Sequence, residues 1–165
     1  SVLTVQGAPG LTSQQIWGTA LAAAIAARNL AFAQTIERAA RAELDATQID
    51  GAKAAAAIMA MNNIYYRFVH LVGDADYQTM PARLRMNVIG NPGIDKIDFE
   101  IYSLAVSAVN GCGLCIEAHE KQLRKHQVSR EAIQSAIRIA AVVHAVAVTL
   151  EAAQSTAAAD VADAA

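Results

Sequence analysis

Between residues 50 and 72 the apolar side chains Ala54, Ile58, Met61, Tyr65, Phe68 and Val72 recur at every third or fourth position. That period lines one face of an α-helix and excludes a strand, whose side chains alternate every second residue. Gly73 ends the run. The same spacing returns throughout the chain, and neither strand alternation nor an internal repeat is found. The fold class is therefore all-α. Hydrophobic residues make up 55% of the 165 positions but aromatics only 5%, so alanine, the best helix former, carries much of the apolar content. A chain of this length reads as one helical domain over residues 12–165. Residues 1–11, with Gly7, Pro9 and Gly10, read as an irregular arm.

Thr12 and Gln15 form a capping-box pattern ahead of a helix reaching about Arg28, with Trp17, Ala20, Leu21, Ala24 and Ile25 inward. A second helix is expected over 31–46, with Phe32, Ile36, Ala39, Ala40 and Leu44 inward and a Glu37–Arg41 pair outward. The 50–72 helix, the longest periodic segment, is expected to be central. Residues 74–81 read as a loop, 82–89 as a short helix and Asn91-Pro92-Gly93 as a turn. The helix over 95–109 is apolar around most of its girth and should be buried; its polar stripe is Glu100, Ser103, Ser107 and Asn110. A helix over 112–125 follows. Ser129 caps the last one, with Ile133, Ile137, Ala140, Ala141, His144 and Val148 on its apolar face. His144 reads as a core histidine, and the alanine-rich end from Ala152 is expected to fray.

Both cysteines lie in Asn110-Gly111-Cys112-Gly113-Leu114-Cys115, and His119 follows four residues later. At about 100° per residue, Cys112, Cys115 and His119 share a helix face about 60° wide. Cysteines one turn apart can bond with little backbone movement. If Cys112 sits in the first helical turn, unpaired N–H groups and the helix dipole favour its thiolate, the species that attacks disulfides. His119 can accept the Cys115 proton or stand beside a thiolate as a cation. A zinc site remains open: the stretch offers three ligands, and His70, His126 or His144 would supply the fourth. The pair closes too small a loop to stabilise a fold, which points to redox or metal chemistry in a reducing compartment, and we expect a cytoplasmic protein. The net charge of −2 supplies no field for nucleic acid or anionic membrane. The apolar run Ile139 to Leu150 is too short to cross a bilayer.

Three further stretches carry a family resemblance: Met61-Asn62-Asn63-Ile64-Tyr65-Tyr66-Arg67, Leu84 through Pro92-Gly93, and Phe99-Glu100 leading to Asn110-Gly111-Cys112. With Glu100, the C-x-x-C pair and His119, the chain from about Trp17 to Leu150 resembles the AhpD-type alkyl hydroperoxide reductases of the carboxymuconolactone decarboxylase-like superfamily. The resemblance implies an all-helical homotrimer with Cys112 and Cys115 as a redox-active disulfide and His119 and Glu100 as a proton relay. It implies an adaptor that reduces an AhpC-type peroxiredoxin and is re-reduced by a lipoylated acyltransferase. Dihydrolipoamide is then the electron donor, no cofactor is tightly bound, and some alkyl hydroperoxide reductase activity is intrinsic. We favour Cys115, the i+4 neighbour of His119, as the attacking thiol; the helix-terminus argument favours Cys112. Family members can carry histidine before the second cysteine, where this chain has Leu114. The rival readings are a decarboxylase-type enzyme on the same fold, with incidental cysteines, and a zinc-binding module.

Overall fold

The computed structural model describes residues 1–164. Those residues form eight helices and no strand. They are α1 (Ser13–Ala26), α2 (Leu30–Ala40), α3 (Ala46–Val72), α4 (Ala75–Thr79), α5 (Asn87–Gly90), α6 (Lys96–Asn110), α7 (Gly113–Lys125) and α8 (Arg130–Asp163). The all-α expectation holds. The hub is α6, buried from Ile101 to Ser107 and packed against α1, α3, α7 and α8. Its burial follows from its sequence, in which apolar residues cover most of its girth. The long α3, expected to be central, packs against α1, α6 and α7 and also meets the short α4 and α5.

Caps set several boundaries where periodicity misplaced them. Asp45 accepts the Gln48 N–H at 2.8 Å, and the Gln48 side chain returns a bond to the Asp45 N–H at 3.0 Å. That capping box starts α3 at Ala46 rather than near Asp50, and α2 stops at Ala40, six residues short of the expected end. Asp74 likewise caps a short α4 inside the expected 74–81 loop. The expected 82–89 helix shrinks to one turn, Asn87–Gly90. Glu37 pairs with Arg41 at 2.7 Å and also receives Lys53 of α3 at 3.1 Å, which joins α2 to α3. The Lys53 hydrogen bond, with its charge and that of Arg41, holds the Glu37 carboxyl below the usual carboxylate range.

Two helices are rotated from their expected faces. The core stripe of α3 is Ile49, Ala52, Ala55, Ala56, Met59, Asn62, Asn63 and Val69, whereas Phe68 and Val72 are exposed and Ala54, Ile58, Met61 and Tyr65 are half-buried. Two asparagines stand on that stripe, so a reading that sends polar residues outward turns the helix the wrong way. On α8 the buried stripe is Ala132, Ser135, Ala136, Ile139, Ala140, Val143 and Ala147, and His144 is exposed rather than in the core. Small residues let α8 approach α1 and α6 closely. The Ser135 hydroxyl donates to the Pro9 carbonyl at 2.9 Å, tying residues 1–12 to the domain; Ala8 and Leu11 are buried. α8 continues helical to Asp163 instead of fraying from Ala152. Among the described residues it is the one helix long and apolar enough to cross a membrane, longer than the Ile139–Leu150 run alone indicates.

The α1–α6 contact depends on a missing side chain. A Cβ on Gly18 would overlap the Tyr102 ring, which is buried and whose hydroxyl donates to the Gln14 carbonyl at 3.3 Å. Burial raises the Tyr102 hydroxyl well above its ordinary range, so it stays a neutral donor. Gly18→Ala should therefore destabilise the protein by about 1–3 kcal/mol through overpacking, despite the better helix propensity of alanine. Thermal unfolding of the variant against wild type measures this, and an unchanged or higher midpoint would show that Tyr102 moves aside freely.

Candidate functional site

The site begins where α6 ends. Gly111 takes a left-handed conformation (φ +71°), which glycine adopts without the steric cost other residues bear. A Cβ there would meet nothing, so the requirement is conformational rather than spatial. The turn is closed by the Gly111 N–H on the Ala108 carbonyl at 3.2 Å and the Cys112 N–H on the Ser107 carbonyl at 3.1 Å. It delivers Cys112 as the N-cap of α7, one position ahead of the first turn where the sequence reading put it. The Cys115 N–H donates to the Cys112 sulfur at 3.3 Å. A helix N-terminus thus faces this sulfur, and negative charge on it is favoured.

Cys112 and Cys115 are joined as a disulfide with their Cα atoms 5.3 Å apart. Cys112 is completely buried, whereas Cys115 keeps 6% exposure and lines a cleft of about 330 Å³ together with Met59, Asn62, Tyr66, Leu114 and His119. Leu114, the residue before the second cysteine, is 36% exposed at the cleft edge and adds an apolar wall. The Asn62 main-chain oxygen lies 4.0 Å from the Cys115 sulfur.

His119 and Glu100 meet across the α6–α7 contact. The histidine Nδ1 lies 2.7 Å from Glu100 Oε2, and its Nε2 lies 3.3 Å from the Met59 sulfur. Carboxylate and thioether act only as acceptors, so both contacts form as hydrogen bonds when each ring nitrogen carries a proton. The side chains of His119 and Glu100 are 14% and 21% exposed, sheltered enough for the ring to be held in one orientation. Cys112, Cys115, His119 and Glu100 therefore gather at one place. His144 lies exposed on α8, and the His126 Nδ1 bonds the Gln122 carbonyl of its own helix at 2.9 Å. No group of three or more His, Cys, Asp or Glu that could hold a metal ion occurs among the described residues.

The rest of the α6 polar stripe meets α3. The Asn63 amide donates to the Ser107 hydroxyl at 2.9 Å and its oxygen accepts from the Asn110 amide at 3.0 Å. Arg67 donates to the Asn110 carbonyl at 2.6 Å. This network grips the residues immediately before Gly111 and Cys112. Sequence reasoning identified neither Met59 nor the asparagine pair as site residues. The signal present was two polar residues at core spacing in an apolar helix.

The conserved-domain pattern described as the carboxymuconolactone decarboxylase family matches residues 75–158. Alkyl hydroperoxide reductase AhpD of Brucella anthropi is 58% identical over 145 residues, 88% of this chain and 83% of the relative. The AhpD of Rhodospirillum centenum is 59% identical over 152 residues, 92% of this chain and 80% of the relative. The chain belongs to the AhpD-type alkyl hydroperoxide reductases of the carboxymuconolactone decarboxylase family. The similarity extends to Streptomyces coelicolor AhpD, 56% identical over 149 residues covering 90% of this chain and 84% of that one. It therefore runs through α1–α3 as well as through the helices that carry the dithiol.

Replacing Asn63 tests the network that backs this AhpD-type site. Asn63→Ala leaves the Asn110 amide and the Ser107 hydroxyl without their present partner, at a cost of about 1–3 kcal/mol. Chemical denaturation of the oxidised protein should show that loss. A ΔΔG near zero would mean that water replaces the asparagine fully.

Proposed function

We propose that this protein is a thiol–disulfide oxidoreductase of antioxidant defence, carrying electrons from a dihydrolipoyl group on an acyltransferase to an AhpC-type peroxiredoxin. The observation that carries the reading is the bonded Cys112–Cys115 pair at the head of α7, with His119 and Glu100 beside it. The AhpD names of relatives up to 59% identical support it.

In the first half-reaction a donor thiolate attacks Cys115, the sulfur that lines the cleft. The Cys115–Cys112 bond breaks and Cys112 leaves as a thiolate, received by the N–H at the start of α7. The donor's second thiol then attacks its own sulfur in the mixed disulfide, forming the cyclic lipoyl disulfide and releasing Cys115. Two electrons and two protons have passed to the pair. In the second half-reaction Cys115 attacks the peroxiredoxin disulfide and Cys112 resolves the mixed disulfide. The two lines of sequence reasoning are thereby reconciled: Cys115 attacks, and the helix terminus makes Cys112 a good leaving group. With an alkyl hydroperoxide as acceptor, the same dithiol yields the alcohol, water and the disulfide. His119 carries protons to and from Cys115 once its Nε2 leaves the Met59 sulfur for the freed thiol, and Glu100 orients its ring through Nδ1.

A thiol titration before and after dihydrolipoamide tests the reading: wild type should go from no free thiol to two per chain, whereas Cys112→Ser and Cys115→Ser should each show their single remaining thiol both before and after. Survival of wild-type disulfide reductase activity in either serine variant would refute it, and would favour a decarboxylase-type enzyme instead. Glu100→Gln and His119→Gln should each slow exchange by roughly 10²- to 10⁴-fold at neutral pH, with the double variant losing far less than the product. Both should partly recover above the free-cysteine value of about 8.5, where thiolate forms unaided. Equal slowness on both sides of that pH would leave the two residues a structural role only.

The protein is also proposed to work as a homotrimer in the cytoplasm. Exposed Ile64, Phe68, Leu71 and Val72 of α3, with Tyr77 of α4 and the following Met80, supply apolar surface for contact between copies. Sedimentation should give a species three times the 17.3 kDa chain; a monomer across a wide concentration range would count against it.

A further inference from the structure

We infer that Asn62 is a substrate-contacting residue whose side-chain oxygen accepts the S–H of the second thiol of an incoming dithiol while the first attacks Cys115. The inference rests on the dihydrolipoyl reading above and adds the residue that selects a dithiol over a monothiol.

Asn62 is 5% exposed on the core stripe of α3, yet its Oδ1 has no hydrogen-bond partner among the described residues. Its neighbour Asn63 has both ends of its amide engaged. A buried carbonyl without a partner costs stability, and a ligand that brings a donor removes that cost. Asn62 lines the same cleft as Cys115, and its main chain lies 4.0 Å from the Cys115 sulfur. Apart from Asn62, Tyr66 and His119, the lining consists of apolar side chains and Cys115 itself. Both nitrogens of His119 are occupied, by Glu100 and Met59. Among the residues lining the cleft, Asn62 is thus the one with a buried side-chain acceptor left unpaired.

The chemistry needs such an acceptor. When the first thiolate bonds to Cys115 and expels Cys112, the second thiol of the donor remains protonated, a weak S–H donor in an apolar cleft. Held by Asn62, it waits next to the new mixed disulfide. It then loses its proton, attacks the donor's own sulfur and releases Cys115 as a thiolate, which takes up a proton. The donor ends as a cyclic disulfide and the protein as a dithiol, with two electrons transferred. A monothiol has no second S–H, so it forms the first mixed disulfide without this contact.

The test compares Asn62→Ala and Asn62→Ser with wild type, each oxidised and mixed with dihydrolipoamide or with 2-mercaptoethanol. Acid quenching and mass spectrometry resolve mixed disulfide from dithiol. Dihydrolipoamide should reduce Asn62→Ala roughly 3- to 10-fold more slowly than wild type, the scale of one lost hydrogen bond. Asn62→Ser, which keeps a shorter acceptor, should fall between them. Mixed-disulfide formation with 2-mercaptoethanol should match wild type in both variants. Because Oδ1 bonds nothing else in the protein, their unfolding temperatures should be at or above that of wild type. Unchanged dihydrolipoamide rates, equal losses with both thiols, or failure of both variants to fold would each overturn the assignment of Asn62. If dihydrolipoamide reduces the wild type well and the variants equally well, only this assignment falls; if it does not reduce the wild type, the proposed function falls with it.

Discussion

On a helix buried on nearly every side an unpaired polar side chain costs stability, and α6 carries four polar side chains in one stripe, three of which find partners. That constraint decides what packs where. Glu100 takes His119 from α7, and Ser107 and Asn110 take Asn63 from α3. The Arg67 bond to the Asn110 carbonyl closes the end of the stripe. These contacts fix α3 and α7 against α6 more specifically than apolar packing does, because a displaced partner leaves a buried polar group unpaired. Ser103, between them, has no partner among the described residues.

The dithiol sits at the exit of this arrangement. The turn at Gly111 reverses the chain within two residues, so the C-terminus of the buried helix leads directly into the N-terminus of α7. The two sulfurs then meet different surroundings. One is enclosed under an N–H group; the other opens to an apolar cleft beside an imidazole held by a carboxylate and a thioether. Thiol–disulfide exchange requires an asymmetry of this kind, since one sulfur must be reached and the other must depart as an anion. The bond itself closes a loop too short to contribute much to the stability of the fold.

Apolar surface remains on the outside. The stripe of α3 that periodicity marks as its core face is partly exposed, and α8 continues well beyond its contact with α1 and α6. Strong periodicity identifies a face that prefers not to meet water. It does not distinguish the interior of one chain from contact between chains.

The sequence by itself determined the helical class, the position of the dithiol and the company of Cys112, Cys115 and His119; Glu100 joined them through the family resemblance rather than through its spacing. Local spacing and side-chain chemistry suffice for a 3.6-residue period, a C-x-x-C pair and an i, i+4 histidine. Tertiary structure alone decided which face of α3 is buried and that Met59, Asn62 and Asn63 enter the site. The buried face and the site depend on residues brought together from distant parts of the chain, Met59 lying 60 positions from the histidine it touches, whereas the Asp45 cap is a local pattern with Gln48 that periodicity alone passes over. An asparagine on an apolar helix looks misplaced until the serine and asparagine of α6 are beside it. No local pattern encodes that pairing, because its free energy exists only once both helices have excluded water.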